Sequence, residues 1–515
     1  MRTTRHVWAF GRTIFLCFAA YSLAKAQSPI TTWHYDNMRT GANANETILT
    51  PQNINKDSFG RLFSQAVDGA IIGQALYLPN VTIPGMGSHN VVYAATMNDS
   101  VYAFDADSNS GQGGGLLWHT SFLSKNVKTM PGSLQGCTST TGWTQVGIVS
   151  TPVIDQAAGT IYVVAKTLEN GNKFVHRLHA LDVTTGLEKA GSPVVITASY
   201  QYDGQTDVFV DQMQVNRPGL LLNNGTIYIA FGSNGCRSGK EEGWVVAYNS
   251  STLQPAGTFD VEPEASAAAI WQRGGGLAAD AEGYIYGATA DGPFTAGIDL
   301  GQSVFKLAQG DGTLELADWF TPWNQFYLNQ HDMDLSEPVL VLPDQPGTYP
   351  HLAAAIGKEG TIYLLNRDNL GQFCDTCQSG DSQIPQELQV VAPNTGALAY
   401  WNNTIYTTPN SKPIAAYPFS NGVIGTTPIA QSKKVASGHS PVISANGTSN
   451  GVLWQLNGKN LCAFDATTLA ELYQSNRNKG HDQLLSLPHF ANIMVNNGKL
   501  YVGTNNSLDV FGLLH

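Results

Sequence analysis

The side chains in this sequence that could do chemistry include one close His/Asp cluster, at His331, Asp332 and Asp334. An imidazole and two carboxylates at this spacing can bind a metal ion or transfer protons. The same polar residues also suit a turn that connects two structural units. The cluster by itself therefore leaves two interpretations, a catalytic or metal-binding site and a structural turn.

A second candidate cation site begins at Asp105 and continues through Asp107 and Asn109, which supply oxygen ligands at alternate positions. A calcium loop needs its glycine one residue earlier than Gly111 and an acid at the twelfth position, where this chain has Leu116. The pattern therefore favours a polar hairpin turn.

The cysteines predict disulfides rather than a metal or haem site. Cys374 and Cys377 form a CxxC motif in a polar loop, but Gln378 follows where haem attachment requires histidine. A zinc site would need a second pair of ligands, and the sequence has no second CxxC. The predicted bridge partners, whose pairing stays open among three connectivities, are Cys137, Cys236, Cys374 and Cys377. Cys462 alternates with apolar neighbours and is predicted to lie unpaired in a core.

Composition and charge exclude several classes of protein. Of 515 residues only 13% are charged while 42% are hydrophobic, which is enough apolar material for large cores. The net charge of −12 argues against nucleic-acid binding, which needs a basic face. There is no Gly-x-Ser-x-Gly elbow and no phosphate loop, so serine hydrolysis and nucleotide chemistry have no motif.

Residues 1–26 are predicted to be a signal peptide. Basic residues precede a short apolar stretch, and Ala24-Lys25-Ala26 fits a cleavage site before Gln27. Cleavage would remove four positive charges, and the mature net charge becomes −16. No later segment reaches the ~18 apolar residues of a membrane span. We expect export to the periplasm or the cell exterior, with residues 27–515 forming a single domain.

Eight copies of one β-rich pattern recur about every 58 residues, a spacing within the range of propeller repeats. Each copy has a run containing an aliphatic residue and usually tyrosine, then a second run that ends near Asp or Asn, as in VVYAAT with VYAFDA. Period-two alternation with Tyr, Ile, Val and Phe suits strands buried on a pleated face. The repeats predict an all-β fold, an eight-bladed β-propeller of four-stranded antiparallel blades. We expect a strand from the segment near Trp33 to close the last blade.

These repeats resemble the pyrroloquinoline-quinone-type repeats of the quinoprotein alcohol dehydrogenase-like propellers, over most of Trp33 to Leu514. The strongest local match is HDMDLSEPVLVLPD followed by IGKEGTIYLLNRDN, which ends at Asn369. A second match is WQRGGGLAADAEGYIYGATADGPF, from Trp271 to Phe294. Within this resemblance, a turn between blades becomes the favoured role of the His/Asp cluster.

The resemblance implies an axial site for pyrroloquinoline quinone (PQQ) and Ca²⁺. Lys358 takes the place of a cation beside the quinone oxygens, and Asp291 that of a calcium-binding asparagine. Two positions depart from the family pattern. Arg237 replaces a calcium-binding glutamate and would repel the ion, while Gln302 replaces the catalytic aspartate and cannot act as a base. The tryptophan that stacks on the quinone in this family usually follows the glycine triplet, but here Leu277 follows it. Trp271 is the predicted substitute.

The sequence therefore favours an exported, non-catalytic binding or assembly module that has no resident cofactor and binds a protein or glycan partner. Its axial pocket is predicted to be lined by Lys358, Asp291, Trp271, Gln302 and Arg237. The alternative is a divergent dehydrogenase of alcohols or sugars that depends on PQQ and calcium, with Asp291 as metal ligand. Polysaccharide cleavage on a propeller face has no residue-level support.

Overall fold

The structure is a computed structural model that describes residues 27–111, 113–135, 142–232, 240–390, 396–478 and 480–514. In these residues, eight mainly antiparallel β-sheets form a propeller ring, which confirms the predicted fold class. The predicted signal peptide (1–26), Cys137, Cys236 and Arg237 lie outside the described residues. In the described part of the chain, no helix has the length and apolar character to cross a membrane.

In the first four blades, the strands follow one another from the ring centre outward. Blade one contains Leu76–Ile83, Gly87–Thr96, Ser100–Asp105 and Leu116–Ser121. Blade two contains Val153–Asp155, Thr160–Glu169, Lys173–Asp182 and Val194–Val195, with Val127–Pro131 and Gln145–Val146 added. Blade three contains Leu221–Asn223, Thr226–Phe231, Trp244–Asn249 and Pro255–Asp260. Blade four contains Ala278–Ala279, Ile285–Ala288, Val304–Gln309 and Leu314–Thr321, with Gln372–Phe373 added.

The last four blades follow the same order. Blade five contains Leu340–Val341, Leu352–Ile356, Thr361–Asn366 and Gln386–Gln389. Blade six contains Ala399–Trp401, Thr404–Thr407, Pro413–Ser420 and Ala430–Val435, with Val423–Ile424 added. Blade seven contains Val442–Asn446, Ser449–Asn457, Asn460–Asp465 and Glu471–Gln474, with Ala42–Asn43 added. Blade eight contains Ile493–Asn496, Lys499–Gly503, Ser507–Leu513 and Phe59–Ala66.

The connections between strands carry short hairpins and helices. The described hairpins pair Ser199–Tyr202 with Gln205–Val208 and Phe294–Thr295 with Asp299–Leu300. The described helices are Gly132–Gln135, Gln272–Gly274, Gln325–Gln330 and Ser475–Asn478.

The two runs of each repeat form the second and third strands of a blade, and their tyrosines tie neighbouring blades together. A buried phenol hydroxyl needs a hydrogen-bond partner. Four of these hydroxyls donate to a backbone carbonyl just after the third strand of the next blade. The bonds run from Tyr93 to Val183 O, Tyr162 to Ser250 O, Tyr406 to Ala466 O and Tyr501 to Ala106 O, at 3.0, 2.8, 2.9 and 3.2 Å. The last of these bonds joins blade eight to blade one.

The ring closes differently from the prediction. Phe59–Ala66, not a strand near Trp33, pairs antiparallel with Ser507–Leu513 as the outer strand of blade eight. Phe59 is buried between blades seven and eight, whereas the polar segment around Trp33 lacks the period-two alternation of a blade strand.

Residues 30–43 instead fill the central channel and contact the inner strand of every blade. Backbone hydrogen bonds join this segment to Tyr77, Ile154, Ala279, Val341, Tyr400 and Ile443, in blades one, two, four, five, six and seven. The side chain of Asn37 reaches Leu222 O in blade three, and that of Asn43 reaches Val495 O in blade eight. We call residues 30–43 the channel segment. The inner strand of each blade is a sheet edge with unpaired backbone N–H and C=O groups. The channel segment forms hydrogen bonds with some of these groups.

The cysteine predictions are partly testable in the described residues. Cys374 and Cys377 form a disulfide, and Cys462 is buried and free, as predicted. The turn after Asp105 uses its carboxylates for protein contacts: Asp105 bonds His89 and the Asp107 N–H, and Asp107 pairs with Lys499. These contacts agree with a hairpin turn rather than a calcium loop.

Candidate functional site

The candidate site lies where loops from several blades converge on one face of the ring. In a four-stranded antiparallel meander, the loop between strands two and three opens on the same face as the connection to the next blade. Asp291 and Gln302 lie in such a loop of blade four, and Lys358 in that of blade five. Trp271 lies in the connection between blades three and four.

Three carboxylates meet on this face beside one lysine. Oxygen atoms of Asp291, Asp332 and Asp334 lie within 4.8 Å of one another. Lys358 Nζ is 2.6 Å from Asp332 Oδ1 and 2.5 Å from Asp334 Oδ2. We call these four residues the axial acidic cluster. Carboxylate oxygens at this spacing are suitable ligands for a hard cation such as Ca²⁺.

The charges of the axial acidic cluster shift one another's pKa values. Burial raises the pKa of Asp291 to about 8, and the neighbouring Asp334 carboxylate adds to the shift. Burial lowers the pKa of Lys358, but the carboxylates of Asp334 and Asp332 outweigh it and raise the pKa overall. The lysine is therefore charged, and it neutralises part of the cluster.

Gln302 joins the blade-four loop to the connection that carries Asp334. Its Nε2 donates to Asp291 Oδ1 at 3.2 Å, and its Oε1 accepts from the Leu335 N–H at 2.8 Å. The amide is fully buried. It positions Asp291, and because it cannot accept a proton it is not a general base.

A buried arginine lies in an aromatic cage next to these groups. The Arg217 guanidinium carbon is 3.6 Å from the Phe490 ring centroid, 4.6 Å from that of Trp271 and 5.7 Å from that of Trp143. Its three side-chain nitrogens are buried, and none has a hydrogen-bond partner among the described residues. Burial, reinforced by the nearby Arg273, holds its pKa well below the usual value. A planar anion can satisfy such a group with paired hydrogen bonds.

Arg273 shows that this region lies at the ring axis. Its Nε is 2.7 Å from Glu337 Oε1, and its Nη1 donates to Gly438 O at 3.2 Å. These residues belong to the connections that enter blades four, five and seven, which come together only near the centre of the ring. Burial raises the pKa of Glu337 to about 7, although nearby cations, including Arg217 and Lys358, oppose the shift. The axial acidic cluster and the arginine cage therefore adjoin.

Two histidines add neutral rings to the same face. Burial and the charge of Arg273 lower the pKa of His439 to about 4. Burial also lowers the pKa of His489, together with Arg217 and Arg273. A cavity of about 670 Å³ is lined by His489 and Trp143, among others, and borders the arginine cage.

The predicted residues therefore divide into two neighbouring groups. Lys358, Asp291 and Gln302 converge, while Trp271 packs against Arg217. Their role in binding stays a prediction. Asp332 and Asp334 were visible in the sequence, but the turn interpretation omitted them from the predicted pocket, and the structure places both against Lys358.

Arg217 had no signal in the sequence. It is a single arginine before Pro218 in a connecting segment. Its partners come from three other connections, so only the assembled ring brings them together.

The fold defines the class, an eight-bladed propeller like that of the quinoprotein alcohol dehydrogenases. The quinohemoprotein alcohol dehydrogenase of Comamonas testosteroni superposes with a TM-score of 0.61 at 13% identity, covering 94% of this chain and 80% of that one. A europium-containing methanol dehydrogenase superposes with a TM-score of 0.60 at 11% identity, covering 94% of this chain and 98% of that one. Quinohemoprotein alcohol dehydrogenase ADHIIG of Pseudomonas putida HK5 superposes with a TM-score of 0.59 at 13% identity, covering 94% of this chain and 80% of that one.

Comparison of the sequence with known families and proteins does not identify a family for this chain. No protein-family model matches this chain, and no curated protein matches it. At the identities of the structural neighbours, the likeness establishes the fold, and the function has to be argued from the site.

Proposed function

We propose that the protein is a divergent quinone-dependent dehydrogenase, acting on an alcohol or a sugar, with a cation and PQQ bound at the axial face. The observation that carries this proposal is the adjacency of two features, three converging carboxylates and a buried arginine without a hydrogen-bond partner in the described residues. The first suits a hard cation and the second a planar anion. The sequence alone favoured a non-catalytic module, and the fold likeness moves our preference to its alternative.

Each part of the site has a role in this proposal. Asp332 and Asp334 hold the cation with Asp291 beside it, and Arg217 pairs with a carboxylate of the ring system between aromatic faces. PQQ supplies a two-electron acceptor, so that an alcohol is oxidised to the carbonyl compound. Lys358 lies beside the carboxylates, where its ammonium group can donate to a developing oxyanion.

A carboxylate of this cluster is the proton acceptor in the proposal. Gln302 stands where the resemblance placed a catalytic aspartate, and an amide cannot accept the hydroxyl proton. Asp291, bonded to that amide, has a pKa raised by burial and by Asp334. We assign this step to Asp291, because a cation held by the neighbouring Asp332 and Asp334 would favour its ionised form, which can accept a proton.

A non-catalytic binding module is the second candidate, and the amide at Gln302 is the observation that favours it. In that case the same face would bind an anionic ring, a protein or a glycan without turnover. The two candidates share the site and differ only in whether a substrate is oxidised there.

One experiment separates these candidates. The purified protein is titrated with PQQ in the presence of Ca²⁺ or Eu³⁺, and dye reduction is followed with a panel of alcohols and sugars. Binding with turnover supports the dehydrogenase, and binding without turnover supports the module. Absence of PQQ binding in both cation arms overturns the proposed cofactor site.

Variants test the assigned ligands. Asp334→Asn should weaken cation-dependent PQQ binding by about 100-fold, since it removes a ligand and the partner of Lys358. The matched control is Asp375→Asn, at an exposed carboxylate in the disulfide loop. Equal binding by both variants would remove Asp334 from the site.

We also infer export to an oxidising compartment. The Cys374–Cys377 disulfide supports this, because such bonds persist in oxidising surroundings. The basic and apolar pattern of residues 1–26 supports it independently. Mass spectrometry of the protein from its native host should find Gln27 as the N-terminus.

A further inference from the structure

A second group of converging carboxylates lies at the outer part of blade three. Oxygen atoms of Asp207, Glu242 and Asp260 lie within 4.8 Å of one another. Asp207 comes from the hairpin before blade three, Glu242 precedes its third strand, and Asp260 ends its outermost strand. With Glu262, two residues further on, these residues form what we call the outer acidic cluster.

The outer acidic cluster is more deeply buried than its charge would suggest. Glu242, Asp260 and Glu262 are 3%, 1% and 0% exposed. The cation seen in contact with it is Lys240, whose Nζ is 2.6 Å from Asp207 Oδ2 and also pairs with Glu242. In the described residues, Lys240 thus pairs with two of the four carboxylates of the cluster. Buried carboxylates without compensating charge are strongly unfavourable.

Glu262 is an independent indication that the cluster binds a ligand. Both of its carboxylate oxygens are buried, and neither makes a hydrogen bond of normal geometry within the described part of the chain. The nearby backbone of Ala268 offsets burial only in part, while Asp260 and Glu242 repel the Glu262 charge. Asp260 Oδ2 is also buried without a partner among these residues. Buried acceptors of this kind normally bind a donor, a water or an ion.

The backbone holds these groups close together. The Glu262 N–H donates to Asp260 Oδ1 at 3.1 Å, and Trp244 pairs with Asp260 across the third and fourth strands. Burial raises the pKa of Asp260 to about 8 and that of Glu262 to about 10, with neighbouring carboxylates contributing. In the absence of a bound cation, protons on Asp260 and Glu262 therefore neutralise part of the negative charge of the cluster.

We propose that the outer acidic cluster is a Ca²⁺ site. Asp207, Glu242 and Asp260 supply the converging ligands, and Glu262 completes the negative shell. An all-oxygen donor set without His or Cys fits Ca²⁺ rather than Zn²⁺, and the number of carboxylates exceeds what Mg²⁺ commonly takes. Lys240, which is at the solvent side, moves away when the ion enters.

Such an ion would fasten the hairpin to blade three. Asp207 belongs to Gln205–Val208, whereas the other ligands belong to the blade or follow its outer strand. The site shares no residue with the axial acidic cluster and does not depend on the proposed dehydrogenase activity. Its ligands come from residues that the axial face does not use.

Terbium luminescence on the full chain tests the site. Tb³⁺ replaces Ca²⁺, and Trp244, buried beside Glu242 in the chain, serves as the sensitiser. The background variant Asp291→Asn with Asp334→Asn removes the axial carboxylates. We expect this background to retain one Tb³⁺ site that Ca²⁺ displaces, whatever happens at the axial site.

Adding Asp260→Asn to that background should weaken Tb³⁺ binding at least 30-fold. The matched control is Asp203→Asn, an exposed acid on the same hairpin, which should bind as the background does. If Asp260→Asn fails to fold, Asp207→Asn at the rim of the cluster gives the same test. Unchanged binding in these variants, or no displaceable Tb³⁺ in the background, overturns the proposal.

Discussion

The axial and outer acidic clusters have nearly the same charges but very different surroundings. Each brings together three carboxylates within 4.8 Å and pairs them with one lysine. The axial cluster is assembled from loops of two blades, whereas the outer cluster is assembled from one blade and its hairpin. Charge composition alone therefore does not distinguish a site for a large ligand from a site for a bare ion.

Access and neighbours make that distinction. The Asp332 side chain of the axial cluster is 75% exposed, and the arginine cage adjoins that cluster through Glu337, whose pKa is influenced by both Arg217 and Lys358. In the outer cluster, Glu242, Asp260 and Glu262 are all buried, as are their chain neighbours Trp244, Phe259 and Val261. We therefore propose the first cluster for a ring-shaped cofactor and the second for an ion alone.

The largest effect is expected at Arg217, which has no counterpart in the outer cluster. Arg217→Met should weaken PQQ binding by at least 100-fold, about 3 kcal/mol. It should also raise the free energy of unfolding of the ligand-free protein by about 1–3 kcal/mol, because a buried group without hydrogen bonds is removed. Denaturant unfolding and PQQ titration measure the two effects.

Arg477→Met, at an exposed arginine, is the matched control and should change neither quantity. A loss of stability in Arg217→Met would show that the guanidinium supports the fold instead of waiting for a ligand.

The pH dependence of stability tests a buried titratable group outside both clusters, His176. Burial lowers the pKa of His176 in blade two to about 4, despite its contact with Asp211. Its pKa in the unfolded chain is about 6.5, so the unfolded state takes up the proton first. Its contribution to stability is present above pH 6.5 and is lost as the pH falls toward 4, by up to about 3 kcal/mol.

Denaturant unfolding at pH 7, 6, 5 and 4 measures this loss. His176→Gln should flatten the acid limb, while His331→Gln, at an exposed imidazole, should keep the wild-type slope. An unchanged slope in His176→Gln would assign acid sensitivity to other groups, including those of the two clusters.

The next largest effect is expected at Gly275, which packs tightly beneath the axial face. A Cβ added at Gly275 would lie 2.0 Å from Pro338 Cγ and 2.9 Å from Trp33 Cη2. Gly275→Ala should therefore cost about 1–3 kcal/mol of stability and weaken PQQ binding, because the connection carrying Trp271 must shift. Thermal unfolding and PQQ titration test this.

Binding of Tb³⁺ at the outer acidic cluster should be the same in Gly275→Ala as in the wild type. Gly480→Ala is the control, since nothing in the described residues lies within 4 Å of its added Cβ. If Gly275→Ala also weakens the outer site, the two clusters are not independent.

The smallest expected effect is a change in Ca²⁺ affinity when the lysine of each cluster is replaced. Lys358→Met and Lys240→Met should each raise the Ca²⁺ affinity of the cluster concerned by about tenfold, because the ammonium group competes with the ion. Competition against Tb³⁺ measures both affinities. A lower affinity in either variant would mean that the lysine orders the carboxylates rather than competing for them.

Much of the fold could be predicted because its signals are local and repeated. Period-two alternation and the recurrent tyrosines identify the second and third strands of each blade, and the pleat alone explains that pattern. Part of the axial site was also within reach, since Asp291, Gln302 and Lys358 occur in recognisable motifs. The role of Asp332 and Asp334 was not, because a polar turn and a ligand loop have the same composition.

The amino-acid pattern thus predicted the blades and the buried free Cys462, whereas the Cys374–Cys377 pairing was one of three open connectivities until the structure showed it. The folded structure was needed to show that residues 30–43 fill the channel and that Phe59–Ala66 closes the ring. It also showed that Arg217 and the outer acidic cluster hold buried charged groups without hydrogen-bond partners among the described residues. The physical reason is that strand pairing follows a short-range pattern, whereas burial and electrostatic compensation depend on contacts between distant parts of the chain.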